Sequence, residues 1–131
     1  MVAELVVIRH RVGAMRHLST SATGPLWRTA MTIPLSPETC LTMADVRAGV
    51  DATDAELVAL LARRFGYMRA AARIKPDRGA VRDETRKAQV IANVRLHAVA
   101  ADLPPERLAA VWEALVEQSI AYELEVWDAT R

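Results

Sequence analysis

Cysteine is almost missing from this chain: Cys40 is the only one. That excludes an internal disulfide and a cysteine-based zinc site. Histidine is nearly as scarce, and His10, His17 and His97 are too scattered to form a ligand pair on one helix. Neither sign of charge dominates; a net charge of +1 offers no clustered basic face of the kind nucleic-acid binding calls for. No apolar run approaches the ~18 residues of a membrane span. Glycine and aromatics are few and proline keeps to element edges, while Ala, Leu and Val supply most of the hydrophobic half of the sequence. Such a composition favours an all-α protein, and 131 residues make one domain able to bury a core. The expectation is a cytoplasmic, metal-free chain without membrane or nucleic-acid partners.

Residues 1–35 stand apart. Met1–Pro25 carries Arg9, Arg11 and Arg16, several Ser and Thr, and one acid, Glu4. An Arg-rich, Ser-rich, acid-poor start resembles an organellar presequence, whereas the apolar core Leu5–Ile8 is too short for a secretory signal. The blander reading, and the preferred one, is a mobile tail or a segment upstream of a natural start at Met31. It is expected to be a flexible N-terminal extension without function, leaving 36–131 as the domain. Ile33–Thr42, with two prolines, reads as an extended lead-in.

Thr42 and Asp45 form a capping-box pattern at the start of a long helix. Met43, Val46, Val50, Leu57, Leu60, Leu61, Phe65 and Met68 recur at helical spacings, and no proline intervenes before Pro76. The helix is expected over Met43–Lys75, roughly 45–50 Å long. Two short partners cannot cover a stripe of that length, so association along the long helix is the economical solution. Pro76–Arg82 reads as a polar loop with Gly79 as its flexible point. Asp83 can cap a second helix reaching about Ala101, with Val90, Ile91, Val94 and Ala98 inward. Asp102–Pro105 breaks the chain, and a third helix starts at Pro105 or Glu106, carrying Leu108, Val111, Trp112, Leu115, Ile120 and Trp127.

Cations sit in apolar company on the first helix. Arg64 and Lys75 are about three turns apart on one face, roughly 16 Å along the axis, and their long side chains can converge on one small anion. Arg47 lies roughly 25 Å before Arg64 and cannot reach the same molecule within one protomer. A solvated or snorkelling role is the ordinary alternative for each cation. Glu123 is sharper: Leu115, Ser119, Ile120, Val126 and Trp127 surround it at helical spacings. A partly buried carboxylate there favours its protonated form; the bland alternative is an edge position like Glu113, Glu117 and Glu125. Arg86 lies one turn before Val90, on the inward side. These residues alone give a helical domain with an anion pocket and no nucleophile–base pair.

The runs MADVR with LVALLARR and RIK, then VRDETR, then LPPERLAAVWEALVEQSIAYE, resemble the all-helical class of chorismate mutases over about residues 37–131. The lead-in PETC, the segment YMRAAARIK, the loop length and the ending W-x-x-T-R look closest to the isochorismate pyruvate lyase branch of that class. The resemblance implies an intertwined homodimer acting on a small dicarboxylate without a cofactor. Arg47 matches an arginine donated across the interface, and Arg64 a second carboxylate-binding arginine. Lys75 matches the lysine at a carboxylate and the ether oxygen. Arg86 and Ser119 match pocket positions, and Asp83 an aspartate near the substrate hydroxyl. Lys87 stands where many mutases place a glutamate for the ring hydroxyl. Glu123 stands where bacterial members place a glutamine, and it can donate to the ether oxygen only when protonated. Pericyclic rearrangement of chorismate to prephenate is the implied activity, with isochorismate cleavage to salicylate and pyruvate as the alternative. A mutase for an amino analogue of chorismate and a non-catalytic dimerisation or regulatory module are the remaining readings. Pro76–Arg82 is the implied lid.

Overall fold

Helix α1 (Met43–Ile74) opens on a reciprocal cap. Thr42 Oγ1 accepts from the Asp45 amide at 3.2 Å, and the Asp45 carboxylate accepts from the Thr42 amide at 2.8 Å. The Thr42 hydroxyl, then the Thr42 and Leu41 amides, hold that carboxyl below its ordinary value. The structure, a computed structural model, describes residues 33–131, so nearly all of the expected N-terminal extension lies outside the described residues. The lead-in is extended apart from a single 3-10 turn at Pro37–Thr39.

The long helix ends one residue before the expected Lys75. Lys75 has φ −64° and ψ 133°, the extended conformation that a following proline imposes. The loop then folds into a 3-10 turn at Arg78–Ala80, capped by Asp77, whose Oδ1 accepts from the Ala80 amide at 3.0 Å. Gly79 is not a left-handed hinge: no glycine among the described residues has positive φ. Its value is space, since a Cβ there would meet Asp77 Oδ1 at 3.2 Å.

Helix α2 (Glu84–Ala100) is capped by Asp83, which accepts from the Arg86 amide at 2.9 Å. It closes through Asp102 at φ 56°, with the Leu103 amide donating to Ala98 O at 2.8 Å, a left-handed helix stop that Asp tolerates better than most residues. Helix α3 (Pro105–Ala129) begins at once, with Pro105 in its first turn. Among the described residues there is no strand, and no helix is long and apolar enough to cross a membrane. The architecture is all-α.

α3 lies against both other helices. Val81, Ile91, Ala109, Val116 and Ile120 form the core between the loop, α2 and α3, with Trp112 and Trp127 packed on it. Phe65 of α1 meets Tyr122 of α3 with ring centroids 5.0 Å apart, a tilted aromatic pair. Only Ala72 of α1 is buried. Of the expected stripe, Leu61, Phe65 and Met68 are half-buried, while its N-terminal part is bare: Val50 is 52% and Leu60 51% exposed.

Candidate active site

The C-terminal half of α1, the loop, the start of α2 and the middle of α3 enclose a cavity of about 300 Å³. α1 contributes Arg64 and Lys75, the capped entry to α2 contributes Asp83, Arg86 and Lys87, and α3 contributes Ser119 and Glu123. Seven of the eight residues singled out in the sequence therefore line one space, and Arg47 is the exception. Arg47 is exposed in the first turns of α1, too far along the axis to join them.

Each polar group arrives with a partner or conspicuously without one. Arg64 donates to Ser119 Oγ, and the Ser119 hydroxyl donates to Leu115 O at 2.6 Å. Ser119 is thereby spent as a bracket for Arg64, its hydroxyl proton committed to Leu115 O. Burial holds the Arg64 guanidinium below its ordinary value, the direction desolvation gives a cation lacking a counter-charge. Arg86 donates to Gln89. Among the described residues neither Arg64 nor Arg86 is in an ion pair.

Lys75 and Glu123 form the cavity's own pair. Lys75 Nζ is 2.6 Å from Glu123 Oε1 and donates to Val81 O at 3.2 Å. Glu123 is only 4% exposed. The contact lies off the hydrogen-bonding direction, so Oε1 remains a buried acceptor without a hydrogen-bond donor. Distance makes this an attraction between charges rather than a satisfied hydrogen bond.

Lys87 reaches the same space while held from behind. Its ammonium lies 2.5 Å from Glu113 and 2.6 Å from Glu117, and Arg82 reaches Glu117 at 2.7 Å and Glu84 at 2.7 Å. The two glutamates raise the Lys87 ammonium above its ordinary value. Arg82, then Lys87, bring the Glu117 carboxyl down to about 2. Sequence patterning gave Glu113 and Glu117 only an exposed edge, because their i, i+4 spacing says nothing about which residue of α2 they meet. Arg131 was missed as well: it donates to Ala72 O at 3.1 Å and Lys75 O at 2.8 Å. Its place in the ending W-x-x-T-R was the one available signal.

Among the described residues no group of three or more His, Cys, Asp or Glu is placed to hold a metal ion. Chemically, the cavity offers two guanidiniums awaiting anions, a lysine beside a buried carboxyl, and apolar walls from Met68, Val90, Val116 and Ile120.

Comparison with known proteins meets this geometry. The family described as Chorismate mutase type II matches residues 46–124. An isochorismate pyruvate lyase of Pseudomonas aeruginosa is 28% identical over 96 residues, covering 73% of this chain and 95% of that protein.

Proposed function

The chain belongs to the chorismate mutase type II family, and from that premise we propose that it is a chorismate mutase, converting chorismate to prephenate. The observation that carries this reading is a pair of guanidiniums, Arg64 and Arg86, lining one cavity of about 300 Å³ with no carboxylate partner among the described residues. A dicarboxylate supplies both missing counter-charges, and planar guanidiniums suit carboxylates geometrically.

The rearrangement is unimolecular. The ether C–O bond breaks as a C–C bond forms between the enolpyruvyl methylene and the ring, and negative charge grows on the ether oxygen. Such a reaction needs restraint and charge stabilisation more than a reacting side chain. In this reading Arg64, together with Arg47 of a second copy, holds the carboxylates, Arg86 adds a further guanidinium at the cavity wall, and Asp83 faces the ring hydroxyl. Lys75 and Glu123 stand at the ether oxygen, where losing one donor typically costs about 3–4 kcal/mol. Glu123 donates there as a neutral carboxyl. Arg47 enters from a second copy of the chain, in a homodimer paired along α1. The uncovered Val50, Leu57 and Leu60, each about half exposed, support that pairing.

Isochorismate pyruvate lyase activity is the second reading. The similarity to the Pseudomonas aeruginosa protein of that name favours it, as does a lysine at position 87 where many mutases carry a glutamate. One experiment separates the readings: incubate the purified full chain with chorismate and, separately, with isochorismate. Prephenate is the result expected of the first, and salicylate with pyruvate of the second. Absence of both products overturns both and leaves a non-catalytic dimerisation or regulatory module.

A further inference from the structure

We propose that the end of α3 and the residues just past it form a latch that positions Lys75, with Arg131 and Asp128 as its positioning residues; the proposal rests on the role given to Lys75 above. The case begins at Pro76. In an uninterrupted helix the amide of residue 76 would donate to Ala72 O, but proline has no N–H. Ala72 is 0% exposed, so water cannot readily replace that donor, and a buried carbonyl left unpaired is costly. Arg131 Nη1 supplies the bond at 3.1 Å, and its Nη2 takes Lys75 O at 2.8 Å. The guanidinium lies over the Trp127 ring, 4.3 Å from its centroid, which fixes the direction of the fork.

The backbone of Lys75 is thus held on both sides, since its own amide donates to Ala71 O at 2.9 Å. One residue group further along, Arg78 donates to Asp128 through Nε at 2.8 Å and Nη2 at 3.0 Å. Two side chains, Asp128 in the last turn of α3 and Arg131 just past its end, therefore grip the loop at its start and at its 3-10 turn. Between those grips Lys75 Nζ is aimed at Glu123 and Val81 O. Small misplacement of a group that stabilises transition-state charge is expensive, and Arg131 is not among the residues that line the cavity. It acts through Lys75, not on the substrate.

The test uses the full chain with Arg131→Ala and Asp128→Asn, read by amide hydrogen exchange and by steady-state kinetics. In Arg131→Ala, exchange across residues 75–82 should accelerate at least about tenfold while α2 keeps its protection. On whichever of chorismate or isochorismate is turned over, kcat should fall roughly 10- to 100-fold with KM little changed. Asp128→Asn should show the same pattern more weakly. If Arg131→Ala does not fold, Arg131→Lys is read instead, because one ammonium keeps the charge but cannot span both carbonyls. Unchanged exchange over 75–82, or a uniform loss of protection in all three helices, overturns the latch. If the wild type turns over neither substrate, the proposed reaction has failed, and the exchange pattern decides the latch by itself.

Discussion

Glu123 is the residue whose charge state the proposed chemistry depends on. In the free protein its carboxylate sits 2.6 Å from Lys75 Nζ and is almost fully buried. A bound dicarboxylate changes that balance, because it competes for Lys75 and sets two further negative charges beside the same oxygen. A carboxyl that carries a proton can donate to the ether oxygen, whereas an ionised one would repel the charge developing there. Glu123→Gln keeps a donor of nearly the same shape, so it should hold kcat within about tenfold of wild type, whereas Glu123→Ala should lose roughly 100-fold or more. Steady-state kinetics of the two variants decides the matter. A Gln variant as slow as the Ala variant rules out the donor role. Lys87 shows the opposite arrangement, a cation whose partners Glu113 and Glu117 fix its charge and its place at the cavity wall.

Between the elements, Glu117 is the joint linking the loop, α2 and α3 through Arg82 and Lys87. Its carboxyl is lowered from 4.5 to about 2. A depressed carboxyl contributes stability that is fully present above its unfolded value and is lost as pH falls through the folded one. Glu117→Gln should therefore lower Tm at neutral pH, and its Tm should fall less steeply than wild type between about pH 4.5 and 2. Salt should narrow the difference, because the network is solvent-facing. Parallel Tm curves for the two proteins over that range would count against the joint. The same comparison marks what the sequence could and could not disclose. Thr42 with Asp45, Asp83, and the prolines at 76 and 105 are local signals, and they set the helix boundaries to within about a residue. Periodicity also marked Arg64, Lys75 and Glu123, which the fold turns to the cavity, but it put Arg86 inward as well, and Arg86 is exposed where it lines the cavity. The capture of Lys87 by Glu113 and Glu117 depends on how α2 crosses α3, and Arg131 serves carbonyls nearly sixty residues away. No local pattern carries either contact.

At the scale of the whole molecule, α1 is longer than the described residues of its own chain cover. Its C-terminal half builds the cavity with α3, while its N-terminal half exposes Val46, Val50 and Leu57 and carries Arg47 away from Arg64 by roughly 25 Å. The proposed homodimer would remedy both, since a second copy laid along α1 would bury the bare stripe and bring Arg47 into the opposite cavity. That geometry makes a sharp forecast for mixed variants. Arg47→Ala and Arg64→Ala should each be nearly inactive alone. In a heterodimer of the two, the Arg47→Ala protomer keeps its own Arg64 and receives Arg47 from its partner, so one site is intact and the other lacks both arginines. After subunit exchange at equal amounts, half the dimers are mixed, and activity should return to about a quarter of wild type. Sedimentation of the mixture must show dimers, and exchange can be followed with a tag on one variant. A fully exchanged mixture that stays inactive, or a wild-type protein that sediments as a monomer, would remove the shared site and with it the reason for α1's length.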